Sequence, residues 1–416
     1  MHKVALLTRE YPPEVYGGAG IHVEYLAREL RRVAEVSVQC WGAARDEAGV
    51  TAHRPWTALA EPKPESTALE AMSINLAMAA AVKGVDIVHS HTWYANLGGH
   101  LAKLTWSIPH VVTTHSLEPL RPWKAEQLGG GYNLSRFCEQ TAIEGADAVI
   151  AVSKGMRQDV LSTYPNLDPQ RVHVIHNGID ADVYRPLPSD ETLVNLGIDP
   201  SVPFALFAGR LTRQKGLQLL LAAAQKIDPR FQLVIVASSP DTPELAAEVA
   251  ALAEQVRVKR GNLVWIGRFI PLEDLIHLYS SAAVFVCPSI YEPFGLVNLE
   301  AMACETAVVG SRVGGIPEIV VEGETGYLID YDPHDTESFK DALAARVGEL
   351  LSEPTLAKRM GKAGRQRVLQ QFGWPAIAAR TLELYDSLIT QPAKRPSKRA
   401  GARPVSTAPK RPPHRP

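Results

Sequence analysis

The chain has 416 residues, 46% of them apolar and 21% charged, which is enough for two domains with full cores and excludes a small stapled scaffold. Its net charge of −2 conceals an imbalance: residues 391–416 hold eight Lys or Arg, seven Pro and no acid, leaving 35 basic against 45 acidic residues in the body. An acidic body argues against a nucleic-acid enzyme, and no apolar run is long enough to cross a bilayer. The opening Met-His-Lys and four apolar residues are too short for a signal peptide, so the cytoplasm is expected. Cys40, Cys138, Cys287 and Cys304 show no metal-ligand spacing and are expected to be reduced core thiols.

In chain order, an apolar strand over 4–7 precedes Glu10-Tyr11-Pro12-Pro13 and the loop Tyr16-Gly17-Gly18-Ala19-Gly20, and a helix follows over 21–30. Strand, glycine loop and helix predict an α/β fold. The glycines are not spaced Gly-x-Gly-x-x-Gly, and no acid closes the next strand at 36–39, so dinucleotide binding is poorly supported. Gly17 and Gly18 either face a phosphate or sugar or make a tight turn. Further strands are predicted at 87–88, 111–113, 148–151 and 172–175, separated by helical stretches such as 66–82 and 134–144. This alternation predicts a parallel sheet covered on both faces. Ligands of such sheets gather at the carboxyl ends of strands, where His89-Ser90-His91 and Thr114-His115-Ser116 fall.

A second series has strands at 204–208, 233–236, 264–266, 284–286 and 307–309. Two doubly wound domains facing across a cleft are therefore expected, over 1–180 and 201–371, joined by a proline-rich linker at 181–200. Residues 372–390 are expected to form a helix that packs back on the first domain. The tail at 391–416 is expected to be disordered, serving either a polyanion or solubility.

Two stretches of the second series carry chemistry. In Gly209-Arg210-Leu211-Thr212-Arg213-Gln214-Lys215-Gly216, Arg210 offers a bidentate fork and Lys215 a mobile point charge for a diphosphate; the alternative is solvated surface cations. The Gly-Lys-Ser/Thr order of a P-loop is missing. The stretch Glu292-Pro293-Phe294-Gly295-Leu296-Val297-Asn298-Leu299-Glu300 joins a strand to a helix, whose first amides lack internal partners and suit a phosphate or sugar oxygens. Gly295 permits close backbone approach. Glu292 and Glu300 either serve one ligand or flank an ordinary connection. Cations and carboxylates together suit two phosphates plus several hydroxyls, which describes a nucleotide sugar.

These motifs, with Gly314-Gly315-Ile316-Pro317-Glu318 and Asn177-Gly178-Ile179-Asp180, resemble those of family 4 retaining glycosyltransferases of the GT-B fold, over nearly all of residues 1–390. Within that family, Glu10-Tyr11-Pro12-Pro13 with Gly17-Gly18, His89 to Tyr94, and Thr114 to Lys124 resemble the short bacterial glycogen synthase group, which includes actinobacterial-type maltose-1-phosphate synthases. The resemblance implies an ADP-glucose donor, with Arg210 and Lys215 on its diphosphate and Glu292 and the amides of Phe294, Gly295 and Leu296 at glucose. Glu300 would hold the ribose and His115 the glucose from the first domain. It implies an α-1,4 bond formed with retention, without metal or cofactor.

Two departures bear on the acceptor. Larger bacterial glycogen synthases carry Lys-Thr-Gly-Gly-Leu where this chain has Val15-Tyr16-Gly17-Gly18-Ala19, and His-Asp-Trp-His where it has His91-Thr92-Trp93-Tyr94. A long-glucan acceptor is thereby placed in doubt. Arg121 and Lys124 could instead bind the phosphate of glucose 1-phosphate, or be solvated loop charges. Expected partners are thus ADP-glucose and either glucose 1-phosphate or an α-glucan; neither nucleic acid nor membrane is expected, and a homodimer is permitted. The competing readings are a family 4 enzyme using a UDP- or GDP-sugar, a glycoside hydrolase and a silent sugar-binding module. Hydrolysis would need Glu292 and Glu300 on opposite sides of one anomeric carbon, yet both belong to one loop and helix.

Overall fold

The computed structural model describes residues 1–15, 17–59 and 66–390, so the basic tail falls outside the described residues. Its first sheet comprises β1 (Lys3–Leu7), β2 (Glu35–Trp41), β3 (Val50–His53), β4 (Ile87–His91), β5 (His110–Thr114), β6 (Ala148–Ala151) and β7 (Val172–Val174), in the order β3-β2-β1-β4-β5-β6-β7. The second comprises β8 (Phe204–Leu211), β9 (Gln232–Pro240), β10 (Leu263–Ile266), β11 (Val284–Cys287), β12 (Ala307–Ser311) and β13 (Gly326–Ile329), in the order β10-β9-β8-β11-β12-β13. Neighbouring strands run parallel throughout both sheets. Helices cover both faces, which is why β4, β5 and β11 are buried along their whole length.

Both strand orders reverse once, between β1 and β4 and between β8 and β11. At such a point the connections leave toward opposite faces of the sheet and open a crevice beyond the strand ends. β8 and β11 are direct neighbours, with Ala205 opposite Val284. The cationic stretch after β8 and the carboxylate stretch after β11 therefore rise side by side from one crevice.

Two elements differ from the sequence reading. β8 runs on to Leu211 through a register shift between Gly209 and Leu211, so Arg210 sits on a bulged strand end rather than in a loop. β3 was not anticipated because Val-Thr-Ala-His is a short, half-exposed edge strand with little apolar signal. All four cysteines are free and buried. Among the described residues, no helix is long and apolar enough to cross a membrane.

The helix Trp374–Ile389 lies against the helix Gly18–Leu30 of the first domain. Trp374 stacks on Tyr25 with centroids 5.5 Å apart and meets the His22 ring edge-on at 5.3 Å. It also closes over Gly178, where a Cβ would come within 2.6 Å of the indole. Trp374, Ile377 and Tyr385 join Val4, Leu6, Leu26 and Ile150 in one buried cluster, so the end of the chain completes the core of its beginning. Trp374→Ala should cost about 3–5 kcal/mol of first-domain stability by the loss of a buried aromatic, measured by urea unfolding; a loss under about 1 kcal/mol would refute this account of the helix.

Candidate active site

The second-domain crevice is fixed by backbone contacts that only glycine allows. Gly295, at φ 102°, is the left-handed cap residue from which the helix Leu296–Ala303 starts, and the Asn298 amide donates back to its carbonyl at 2.9 Å. Gly314, at φ 52°, lies so close to the Glu292 carbonyl that any Cβ would collide with it, and the Gly315 amide donates to that same carbonyl at 2.9 Å. On the other side Gly216 presses against the Pro288 carbonyl, and the Ile290 amide donates to Gln214 O at 2.9 Å. The three loops therefore form one packed unit.

This packing brings Lys215 Nζ within 2.6 Å of Glu292 Oε2, which also accepts from Ser289 Oγ at 3.2 Å. Burial disfavours the ammonium, but the Glu292 carboxylate outweighs it, and the Lys215 pKa is raised. The side chains of Lys215 and Glu292 are only 15% and 8% exposed, so neither is a solvated surface charge. Lys215 is thus not a mobile point charge, because the Glu292 carboxylate already engages it. Glu300 lies one turn into its helix, where burial raises its pKa although Tyr279 OH donates to it at 2.9 Å and Lys215 and Tyr184 also favour its charge. The Phe294 side chain is buried against His176, leaving only its backbone for a ligand.

The first domain reaches this unit at three points. A Cβ at Gly18 would lie 3.1 Å from Leu296 Cδ1, so the glycine loop faces the start of the carboxylate-bearing helix. Gly17 caps the helix Gly18–Leu30, and its amide donates to Glu10 Oε2 at 2.7 Å. Ser153 Oγ donates to the Pro293 carbonyl at 2.6 Å while capping the helix Lys154–Thr163. Glu318 accepts from the Gly155 amide at 3.1 Å and pairs with His176 Nε2 at 2.9 Å. Although burial pulls the other way, His176 and the Lys154 and Gly155 amides lower the Glu318 pKa, as expected for a carboxylate at a helix N-terminus.

A second group of charges lies at the ends of β1, β4 and β5. Arg9 stacks over Tyr94 at 4.1 Å. Arg121 Nη1 donates to Ser116 Oγ at 2.9 Å and stands 3.6 Å from Glu118, while its buried Nε has no partner. Lys124 Nζ donates to Gln127 at 2.6 Å, and its pKa is pushed down to about 8 by burial, by Arg121 and, from the second domain, by Arg210. Lys124 thus lies within electrostatic reach of Arg121 and, from the second domain, of Arg210, with the Glu118 and Asp241 carboxylates acting in the opposite sense. Arg9 escaped sequence analysis because a lone arginine after a strand carries no signal without the fold.

The loop that carries His115 and Arg121 is held from within. Both Glu139 oxygens accept from the Glu118 amide, at 2.9 and 3.2 Å, and Tyr164 OH donates to Glu139 at 2.6 Å. Ser135 Oγ donates to Glu118 Oε2 at 3.1 Å. Burial, then the Glu118 charge, push the Glu139 pKa up to about 8. His115, at the end of β5, meets His91 Nδ1 through Nε2 at 3.2 Å and lies beside His22 with ring centroids 4.8 Å apart. Between His91 and Trp93, Thr92 adopts φ 62° and ψ 158°, a sparsely populated region for a branched residue.

Glycosyltransferase Family 4 matches residues 16–183 and Glycosyl transferases group 1 matches 189–367. An alpha-maltose-1-phosphate synthase of Mycolicibacterium smegmatis is 52% identical over 390 residues, covering 92% of this chain and 98% of its own. The chain is a family 4 glycosyltransferase. A D-inositol 3-phosphate glycosyltransferase of Corynebacterium glutamicum is 32% identical over 316 residues, covering 73% of this chain and 72% of its own. Among solved structures, a sucrose-phosphate synthase from Thermosynechococcus elongatus matches with a TM-score of 0.76 and 26% identity, covering 93% of this chain and 99% of its own. The two reversed parallel sheets of this glycosyltransferase are accordingly the two halves of a GT-B fold.

Glu139 gives the glycosyltransferase a measurable pH signature. Its carboxyl keeps a proton up to about 8 when folded but releases it near 4.5 when unfolded, so its contribution to stability is full below the lower value and declines between the two. The melting temperature should therefore fall less steeply from about pH 5 to about pH 8 in Glu139→Gln than in the parent protein. Parallel profiles would remove this assignment.

Proposed function

We propose that this glycosyltransferase moves glucose from ADP-glucose to glucose 1-phosphate, with retention, giving an α-1,4-linked maltose 1-phosphate in α-glucan synthesis. The observation that carries this reading is the buried Arg121 Nε that has no partner, beside Lys124, whose pKa burial and then Arg121 and Arg210 push down to about 8. A phosphate dianion bound there would favour the charged lysine further and take the unpartnered Arg121 Nε as well. The name of the 52% identical relative supports a phosphorylated product, and that of the inositol-phosphate relative a phosphorylated acceptor.

In this reading Arg210 and Lys215 neutralise the donor diphosphate, and Glu292 accepts from glucose hydroxyls beside the amides of Phe294, Gly295 and Leu296. Glu300 takes the ribose, Gly17 and Gly18 let the first domain close on the donor, and His115 holds the glucose from that side. The bond from C1 to the diphosphate oxygen breaks while the acceptor O4 bonds C1 on the same face. The O4 proton passes to the departing phosphate. Lys215, Arg210 and the helix amides then act on the charge that develops on ADP. The tight Lys215–Glu292 pair supports this, because it sets a cation and a hydroxyl acceptor at one fixed spacing. No residue is assigned to a metal in the transfer.

ADP-glucose and UDP-glucose, each offered glycogen and glucose 1-phosphate with nucleoside diphosphate release measured, test the substrates directly. Fast release should appear with ADP-glucose plus glucose 1-phosphate; activity only with glycogen would overturn the acceptor assignment. Arg121→Ala should raise KM for glucose 1-phosphate at least about tenfold and that for ADP-glucose less than about twofold, as loss of a charge-assisted phosphate contact requires. Equal effects would count against the role of Arg121. Glu292→Gln should lower kcat by about two orders of magnitude or more, and near-normal turnover would sink the donor-site assignment.

A further inference from the structure

Three imidazoles converge where the helix Gly18–Leu30, β4 and β5 meet, and the transfer reaction described above uses only one of them. One nitrogen from each of His22, His91 and His115 lies within 4.8 Å of those of the other two. The Nε2 atom of His22 is buried without a hydrogen-bond partner, and His91 Nδ1 stands 3.2 Å from His115 Nε2, close to the spacing of two nitrogens on one zinc ion. His22 Nδ1 is 2.8 Å from Asn177 Oδ1; a proton on Nδ1 leaves the Nε2 lone pair free, the arrangement usual in metal-bound histidines. The neighbouring His89 is different, since its two nitrogens are taken by Tyr385 OH at 2.6 Å and Thr113 Oγ1 at 2.7 Å.

We propose that His22, His91 and His115 form a binding site for a divalent transition-metal ion of the zinc class, and that the bound ion inhibits transfer by drawing His115 out of the cleft. Zinc holds histidine nitrogens at about 2.0–2.1 Å in a tetrahedron, which sets them roughly 3.3 Å apart. The trio is open by roughly 1.5 Å at its widest against that geometry, a gap that ring rotations about χ1 and χ2 can close. His115 is the one partly exposed member of the trio. Three nitrogen donors without a carboxylate select zinc, copper, nickel or cobalt over magnesium, calcium or manganese. The ion has no part in bond making, so its signature is loss of activity.

Zn2+ and Mg2+ binding to the untagged full-length protein, freed of metal by chelation, tests this by calorimetry, with Co2+ as a spectroscopic probe. One equivalent of Zn2+ should bind while Mg2+ does not, Co2+ should give the visible bands of a four-coordinate nitrogen site, and turnover should fall as Zn2+ fills the site. His22→Gln and His91→Gln, checked for folding by circular dichroism, should each weaken Zn2+ binding by at least about tenfold. Absence of stoichiometric Zn2+ binding or of the Co2+ bands in the parent protein overturns the proposal, as does undiminished Zn2+ binding in either folded variant.

Discussion

The ion pair between Lys215 and Glu292 is the contact on which the second-domain crevice depends. Neither charge could be buried so deeply alone, because each would forfeit hydration worth several kcal/mol. Together, with Ser289 sharing the carboxylate, they make one fixed dipole between the ends of β8 and β11. Three glycines exist to permit it. Gly216 and Gly314 let the loops approach until backbone touches backbone, Gly295 leaves room for the Asn298 and Glu292 side chains, and side chains at these positions would push the charges apart.

The first domain answers with a different economy. Its cleft face is lined by neutral imidazoles and by arginines that stack on or sit among aromatic and carboxylate neighbours. The loop carrying His115 and Arg121 cannot rely on regular hydrogen bonding, and a buried carboxyl, Glu139, receives its backbone amide instead. A rigid scaffold thus presents irregular segments, the usual division of labour in α/β enzymes.

Much of this was legible in the sequence, and for identifiable reasons. Apolar runs such as Phe204 to Ala208 and Val284 to Val286 revealed their strands because both faces of a parallel sheet are buried. Glu292, Glu300, Arg210 and Lys215 could be grouped because their loops follow strands, though only the β8 to β11 adjacency explains why they meet. What escaped depends on long-range geometry. His22 lies in an ordinary amphipathic helix, Ser153 reads as a plain helix cap, and Glu139 sits mid-helix like any solvated acid. Nor could the pattern show that Lys215 would be tied to Glu292, because a flexible side chain seventy-seven positions away leaves no local trace.

The seam at Ser153, Gly155 and Glu318 has a mechanical meaning. There a carboxylate and a carbonyl of the second domain are held by a hydroxyl and amides of the first, under the stacked rings of His176 and Phe294. Elsewhere the cleft is bridged by a narrow crevice in which Trp123 and Gln127 face Arg213, Asp241 and Thr242. The seam margin of the cleft is stitched by hydrogen bonds that each use a backbone atom, so the register of the two domains there does not rest on the charges that face the cleft.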